Sequence, residues 1–165
     1  MWDTSNVILD PVEWRNTRPT KRMGSGLLIR NPEGAVLIVE PSYKETWEIP
    51  GGSVEKDESP RSACHREAFE ELGIEMNIGR LLCLEWQGPE PERTESLMFI
   101  YDGGLVADSS HFNLASEELL SCRFVKSSDF DEHLAPRLSR RLRAALSALK
   151  SGFVVELEHG TEWIG

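Results

Sequence analysis

Short apolar runs alternate with clusters of turn-forming residues along this chain, and their spacing predicts its elements. Gly26 to Arg30 and Ala35 to Glu40 are apolar runs separated by Asn31-Pro32-Glu33-Gly34, which predicts a hairpin. Trp47 to Pro50 reads as a short strand, Ile78 to Gln87 and Ser96 to Asp102 as longer ones, and Ser121 to Lys126 alternates as a further strand. Gly88 to Arg93 is a Pro-rich connection, Gly103-Gly104 reads as a break, and Leu105 to Leu114 as a loop.

Two stretches carry the helical period instead. Cys64, Ala68 and Leu72 recur at i, i+4 and i+8, with Ser59 as cap, Pro60 in the first turn and Gly73 as the stop. From Ala135 to Leu149, Leu138, Leu142, Leu146 and Leu149 form one stripe, and Arg137, Arg140, Arg141, Arg143 and Lys150 fill the remainder. That basic face invites a phosphate or RNA reading, but an amphipathic helix with solvated arginines lying on a sheet accounts for it. Phe153 to Glu158 predicts a late strand, and His159-Gly160 begins a tail. The first 20 residues read as an arm, with a short strand at Val7 to Leu9. A mixed sheet between helices follows, a three-layer α/β/α sandwich.

Composition narrows the class. The chain has 165 residues, 39% hydrophobic and 28% charged, which suits one soluble domain. The expected organisation is an arm over 1–20, the domain over 21–150, and a strand and tail over 151–165 packed on it. A formal charge of −10 argues against a general nucleic-acid binder, and an anionic substrate would need metals and local arginines. Cys64, Cys83 and Cys122 are too widely spaced for a disulfide framework or a zinc site and read as buried free thiols. His65, His111, His133 and His159 are scattered and propose no metal. The N-terminus lacks the pattern of a leader and no segment approaches 18 apolar residues, so no membrane is expected and a cytoplasmic location is.

The dense chemical signal lies between Gly52 and Ile74. Glu67, Glu70 and Glu71 stand at i, i+3 and i+4, within an arc of roughly 100° on a helix. Carboxylates crowded this way repel unless a cation lies between them, and oxygen-only ligands suit Mg²⁺ or Mn²⁺.

Gly52, five residues, Glu58, seven residues, Arg66-Glu67-Ala68, one residue, Glu70-Glu71, one residue, Gly73-Ile74 resembles the Nudix box, G-x5-E-x7-R-E-U-x-E-E-x-G-U with U apolar. Every fixed position is filled, with Ala68 as a small occupant of the first apolar place. The preceding Trp47-Glu48-Ile49-Pro50-Gly51-Gly52 resembles the strand and turn that lead into that box. The resemblance implies the Nudix fold and a metal-dependent hydrolase, similar to the superfamily's MutT-like members. Its expected target is a diphosphate linkage in a nucleoside diphosphate derivative: a nucleotide-sugar, an ADP-ribose-like molecule or a nucleoside triphosphate. Diphosphates resist attack because their oxygens repel nucleophiles, and bound cations neutralise that charge and acidify water.

By position, the resemblance implies Glu67, Glu70 and Glu71 as metal ligands, joined by the Gly51 carbonyl. It implies Arg66 and Glu58 as residues that hold the cluster. Glu118, or its neighbour Glu117, is the candidate for a general base supplied from a loop. For substrate, Tyr43, Trp47 and Trp86 are candidates for stacking, and Arg22 and Arg93 for phosphates, whereas Phe99 is expected in the core. Pro89 lies near a proline that accompanies ADP-ribose hydrolysis in part of the family, but turn formation explains it. Two other classes stand beside the hydrolase. One is a ligand-sensing module without catalysis, which the complete acid set opposes; the other is an isoprenoid diphosphate isomerase, for which no cysteine is suitably placed. Homodimers are common in the family, and no exposed apolar segment of this sequence marks an interface.

Overall fold

The computed structural model describes residues 10–109, 112–115 and 117–162; the strand expected at Val7 to Leu9 and His111 lie outside these residues. In chain order the elements are α1 (Pro11–Asn16), β1 (Arg22–Arg30), β2 (Val36–Pro41), β3 (Gly51–Ser53), α2 (Pro60–Leu72), β4 (Leu81–Gln87), β5 (Ser96–Leu105), β6 (Leu119–Val125), α3 (Phe130–His133), α4 (Pro136–Ser151), β7 (Val155–Glu158) and β8 (Thr161–Glu162). The arm therefore carries a helix, which Asp10 caps by accepting from the Val12 amide at 2.8 Å.

One mixed sheet runs β6-β2-β1-β5-β4-β7-β8, with β3 also paired to β1. β1 lies parallel to β5, and β4 parallel to β7; the other pairings are antiparallel. Both faces are covered, which is why the hairpin strands read as almost unbroken apolar runs. Leu27, Ile29, Leu37 and Val39 pack with Cys64, Ala68 and Leu72 of α2. Leu28, Val36 and Ile38 face the other way, toward Phe130, Leu138, Leu142 and Ala145 of α3 and α4. The period of 2 along each strand thus sorts the side chains between two helical layers, and the expected α/β/α sandwich is what forms.

Trp47 to Pro50, expected as a strand, makes only isolated bridges at Trp47 and Glu48, and the strand is β3, over Gly51–Ser53. Three further features differ from the sequence reading. Gly103-Gly104 is no break: β5 continues to Leu105 through a register shift against β1. Gly104 has φ +75, and a Cβ on Gly103 would meet the Ile29 side chain, so glycines supply the bulge rather than the end of the strand. The tail turns at His159 and Gly160, both with positive φ, and pairs back as β8. Cys64 and Cys83 are buried, but Cys122 is only half-buried.

The fold positions the site through a split in pairing. β1 meets β3 at Gly24, Ser25 and Gly26, but meets β2 only at Arg30 and Val36. The strap of residues 47–50 fills the gap, with Glu48 bridged to Val39 and the Leu27 amide donating to Pro50 at 2.9 Å.

Candidate active site

Helix α2 begins where the capping chemistry places it. Ser59 Oγ accepts from the Ser62 amide at 3.1 Å, Pro60 opens the first turn, and Gly73 closes the helix at φ +67. Its apolar stripe is fully buried, and this fixes the rotation that carries Glu67 and Glu71 to the sheet side and leaves Glu70 at the surface.

Arg66 organises the acids. Its Nε and Nη2 each donate at 3.0 Å to the two oxygens of Glu58. Nη1 reaches Glu67 Oε1 and Glu70 Oε2, both at 2.9 Å, and Nη2 also meets the Ser53 carbonyl at 3.0 Å. The Arg66 guanidinium thus lies between Glu67 and Glu70 and offsets part of their mutual repulsion. Glu58 is held below the usual carboxylate range, first by its hydrogen bonds from Arg66.

Glu71 is bound differently. Its Oε2 accepts from the Gly51 amide at 2.8 Å. Gly51 has φ +144, and a Cβ there would collide with the Ser25 carbonyl, so glycine is required at this approach. At Gly52 a side chain would overlap the Glu67 carboxylate itself. Burial pushes the Glu71 carboxyl up to about 8, against the Gly51 hydrogen bond, and the charges of Glu67, Glu118 and Glu48 add to the rise. Burial also raises Glu67, and it outweighs the Arg66 contacts.

As the side chains stand, no three His, Cys, Asp or Glu groups among the described residues converge closely enough to hold a metal ion. The donor chemistry nevertheless fits one. Glu67 Oε2 and Glu71 Oε1 each lack a hydrogen bond among the described residues, both carboxylates are desolvated, and the glycine backbone lies against them. Hard oxygen donors whose charged form is disfavoured gain most from a divalent cation.

Glu71 opens on a cavity of ≈ 1190 Å³ that also receives Glu58, Glu48 and Glu118. Glu118 therefore joins the acid wall, whereas Glu117 uses its carbonyl to accept from Ser42 Oγ at 2.9 Å and does not line the cavity. Of the five substrate candidates, Tyr43, Arg22 and Arg93 line this cavity and Trp47 and Trp86 do not. Trp47 lies under Arg123, whose Cζ is 4.1 Å from the ring centroid, and beside His133. Trp86 donates from Nε1 to Glu95 at 2.9 Å and meets His159 edge-on. Neither ring lines the cavity, a placement that neither residue's neighbours in sequence reveal. Arg22 is held by Thr94, through Nε to Oγ1 at 2.9 Å.

The structure corrects the expectation of solvated arginines on α4. Arg137, Arg140 and Arg141 of α4 line the cavity, so this part of the helix is not simply a solvated face. Arg141 is buried and pairs with the fully buried Glu85, whose Oε2 accepts from its Nε at 2.6 Å and also contacts Nη2. Glu85 is the one charged residue of β4, which is the signal that could have singled it out; its partner is 56 residues away and had no local signal.

The NUDIX domain model matches residues 20–146, the greater part of the chain. The chain belongs to the Nudix hydrolase superfamily. Among curated relatives, human diphosphoinositol polyphosphate phosphohydrolase 3-alpha is 41% identical over 61 residues, covering 36% of this chain and 37% of that one. The matched stretch thus spans little more than a third of that relative's length. The MutT protein of Methanosarcina mazei Go1 has a similar structure, with TM-score 0.62 and 26% identity over 82% of this chain and 98% of that one. The NUDIX domain of Shewanella oneidensis NrtR, solved with ADP ribose, shares the fold at TM-score 0.66 and 17% identity, over 86% and 99% of the two chains. This Nudix chain has no described helix long and apolar enough to cross a membrane.

Proposed function

We propose that this Nudix chain is a Mg²⁺- or Mn²⁺-dependent hydrolase that cleaves a diphosphate linkage by water attack at phosphorus. The observation that carries the reading is the pair of desolvated carboxylates, Glu67 and Glu71, each with an unshared oxygen beside the Arg66 cluster, with Glu71 at the wall of a large cavity. Glu67, Glu70 and Glu71, with the Gly51 backbone, would hold the metal. When bound, the cation neutralises the diphosphate oxygens and acidifies water.

The remaining roles belong to the chain. Arg66 fixes Glu67 and Glu70 relative to Glu58 by charge-assisted hydrogen bonds, so the carboxylates need little reorganisation. Glu118, exposed at the cavity and close enough to perturb both Glu67 and Glu71, is the candidate proton acceptor for the attacking water. Arg22 and Arg93, which line the cavity, would meet substrate phosphates.

The substrate reading follows the lining. Tyr43 is its only aromatic residue among the described residues, which gives little stacking surface for a base and favours a phosphorylated group without one. The name of the human relative, a diphosphoinositol polyphosphate phosphohydrolase, agrees with that class. A nucleoside diphosphate derivative is the second reading, supported by Tyr43 and by the ADP ribose in the NrtR structure. The isomerase reading loses support, because none of the three cysteines lines the cavity.

The test is turnover with Mg²⁺ or Mn²⁺ on a panel of diphosphate derivatives from both classes. Phosphate or a mononucleotide should be released, and Glu71→Gln should reduce the rate about a hundredfold or more, the scale of losing several kcal/mol of charge stabilisation. Unchanged turnover in Glu71→Gln would remove the site assignment; a silent wild-type protein across the panel would favour the sensing module.

A further inference from the structure

Beyond the acid wall, we propose that the arginines of α4 form a second anion subsite, which takes the phosphate monoesters of the group attached to the scissile diphosphate. The proposal rests on the hydrolase reading for the position of the diphosphate, and it adds the class of the attached group: one that carries phosphates of its own.

The first support is charge left uncompensated. Arg140 and Arg93 line the cavity and form no side-chain ion pair among the described residues, and Arg22 is bonded to a threonine rather than an acid. Arg137, on the same wall, is paired with Glu90. In a chain of formal charge −10, this wall has an unusual local excess of cations.

The second support is how Arg141 is held. It is 6% exposed, and its Nε and Nη2 are occupied by Glu85, which is 0% exposed. Nη1 has no partner among the described residues, yet it is not one of the enclosed unpaired atoms. Arg141 lines the cavity, and Nη1 is the nitrogen that Glu85 leaves over there. Burying an ion pair costs several kcal/mol per ion, and a pair of well-packed apolar residues would serve the core as well or better. A buried carboxylate that locks one edge of a guanidinium and leaves the other toward a cavity makes sense as preorganisation of a phosphate donor.

The third support is distance. Gly52 pairs with Ser25, Ser25 with Phe99, and Phe99 with Leu84, the neighbour of Glu85. Three strand spacings separate the acid turn from the Glu85 region, about 14 Å. One diphosphate does not reach across that gap, so a ligand that engages both walls needs anionic groups at both ends. The β7–β8 turn buttresses the far end, because a Cβ on Gly160 would sit 2.5 Å from Arg140 Nε.

Calorimetry with inositol hexakisphosphate in EDTA tests the subsite without turnover, because this probe carries phosphate monoesters and no diphosphate. Wild type should bind it. Arg137→Ala/Arg140→Ala should bind about tenfold or more weakly, the scale of losing one charge-assisted hydrogen bond. Arg141→Lys keeps a counter-charge for Glu85, so it should stay folded by thermal melt and still bind more weakly. Lys150→Ala, on the same helix but off the cavity, should bind as wild type. No binding by wild type, equal binding by the arginine variants, or an equal loss in Lys150→Ala would overturn the subsite. None of these outcomes touches the hydrolase reading, which fails instead through absent turnover.

Discussion

The two charged walls of the cavity solve opposite problems. On α2 one arginine, Arg66, is shared among Glu58, Glu67, Glu70 and the Ser53 carbonyl, which leaves carboxylate oxygens over for a ligand. On α4 one carboxylate, Glu85, binds Arg141 in the core, which leaves a guanidinium edge over. Each wall is anchored by a fixed counter-charge and presents the surplus. Together they make a cavity that is acidic at one end and basic at the other, suited to a ligand that brings a metal-bound diphosphate to the first and bare phosphates to the second.

The sharpest way to break this symmetry is at the buried pair. Arg141→Ala leaves Glu85 enclosed without a counter-charge and should cost about 3–5 kcal/mol in denaturant unfolding, whereas Glu85→Leu/Arg141→Met should stay close to wild type. If the double variant is as unstable as the single one, the pair is a packing element rather than a positioning device. Arg66→Ala should cost less, about 2 kcal/mol, because the cluster is partly solvated and Glu58 and Glu70 can turn to water. Its larger effect should be on turnover.

Ser59→Ala removes the α2 cap and should lower stability by about 1 kcal/mol, with turnover little changed; this would separate the helix's stability from the chemistry of its acids.

Titration sharpens the comparison further. Glu71 in the fold is raised to about 8 from an ordinary 4.5, so its neutral form is favoured by folding. Its stabilising contribution is complete below about pH 4.5 and is lost as pH rises through about 8. Metal-free protein should therefore melt lower at pH 8 than at pH 5.5, and Glu71→Gln should flatten that slope. Glu58 is lowered instead, so its contribution is present through this window and fades only in acid. A slope that survives in Glu71→Gln would show that another group governs it.

The acid wall was legible in the sequence because its parts are local. Cap, apolar stripe, glycine stop and acid spacing fall within 23 consecutive residues, and helical geometry converts their spacing into direction. Gly51 and Gly52 were legible as a turn, although only the structure shows that one accommodates the Ser25 backbone and the other the Glu67 carboxylate. The strands were legible as apolar runs, but not their order, since β1 beside β5 and β4 beside β7 are pairings made across the chain.

The basic wall was illegible for the same reason. Arg141 sits in a row of arginines that the helical period cannot distinguish, and only the approach of Glu85 on β4 selects it for burial. Trp47 and Trp86 were equally illegible: each stands near the motif or its sheet in sequence, and the structure packs them against Arg123 and Glu95, outside the cavity lining. The sequence by itself determined the two long helices, most of the strands, their two faces and the acid set, because these depend on the periods of the helix and strand. The tertiary structure alone decided which charges meet, which stay unpaired and which line the cavity, because desolvation and pairing depend on neighbours brought from elsewhere in the chain.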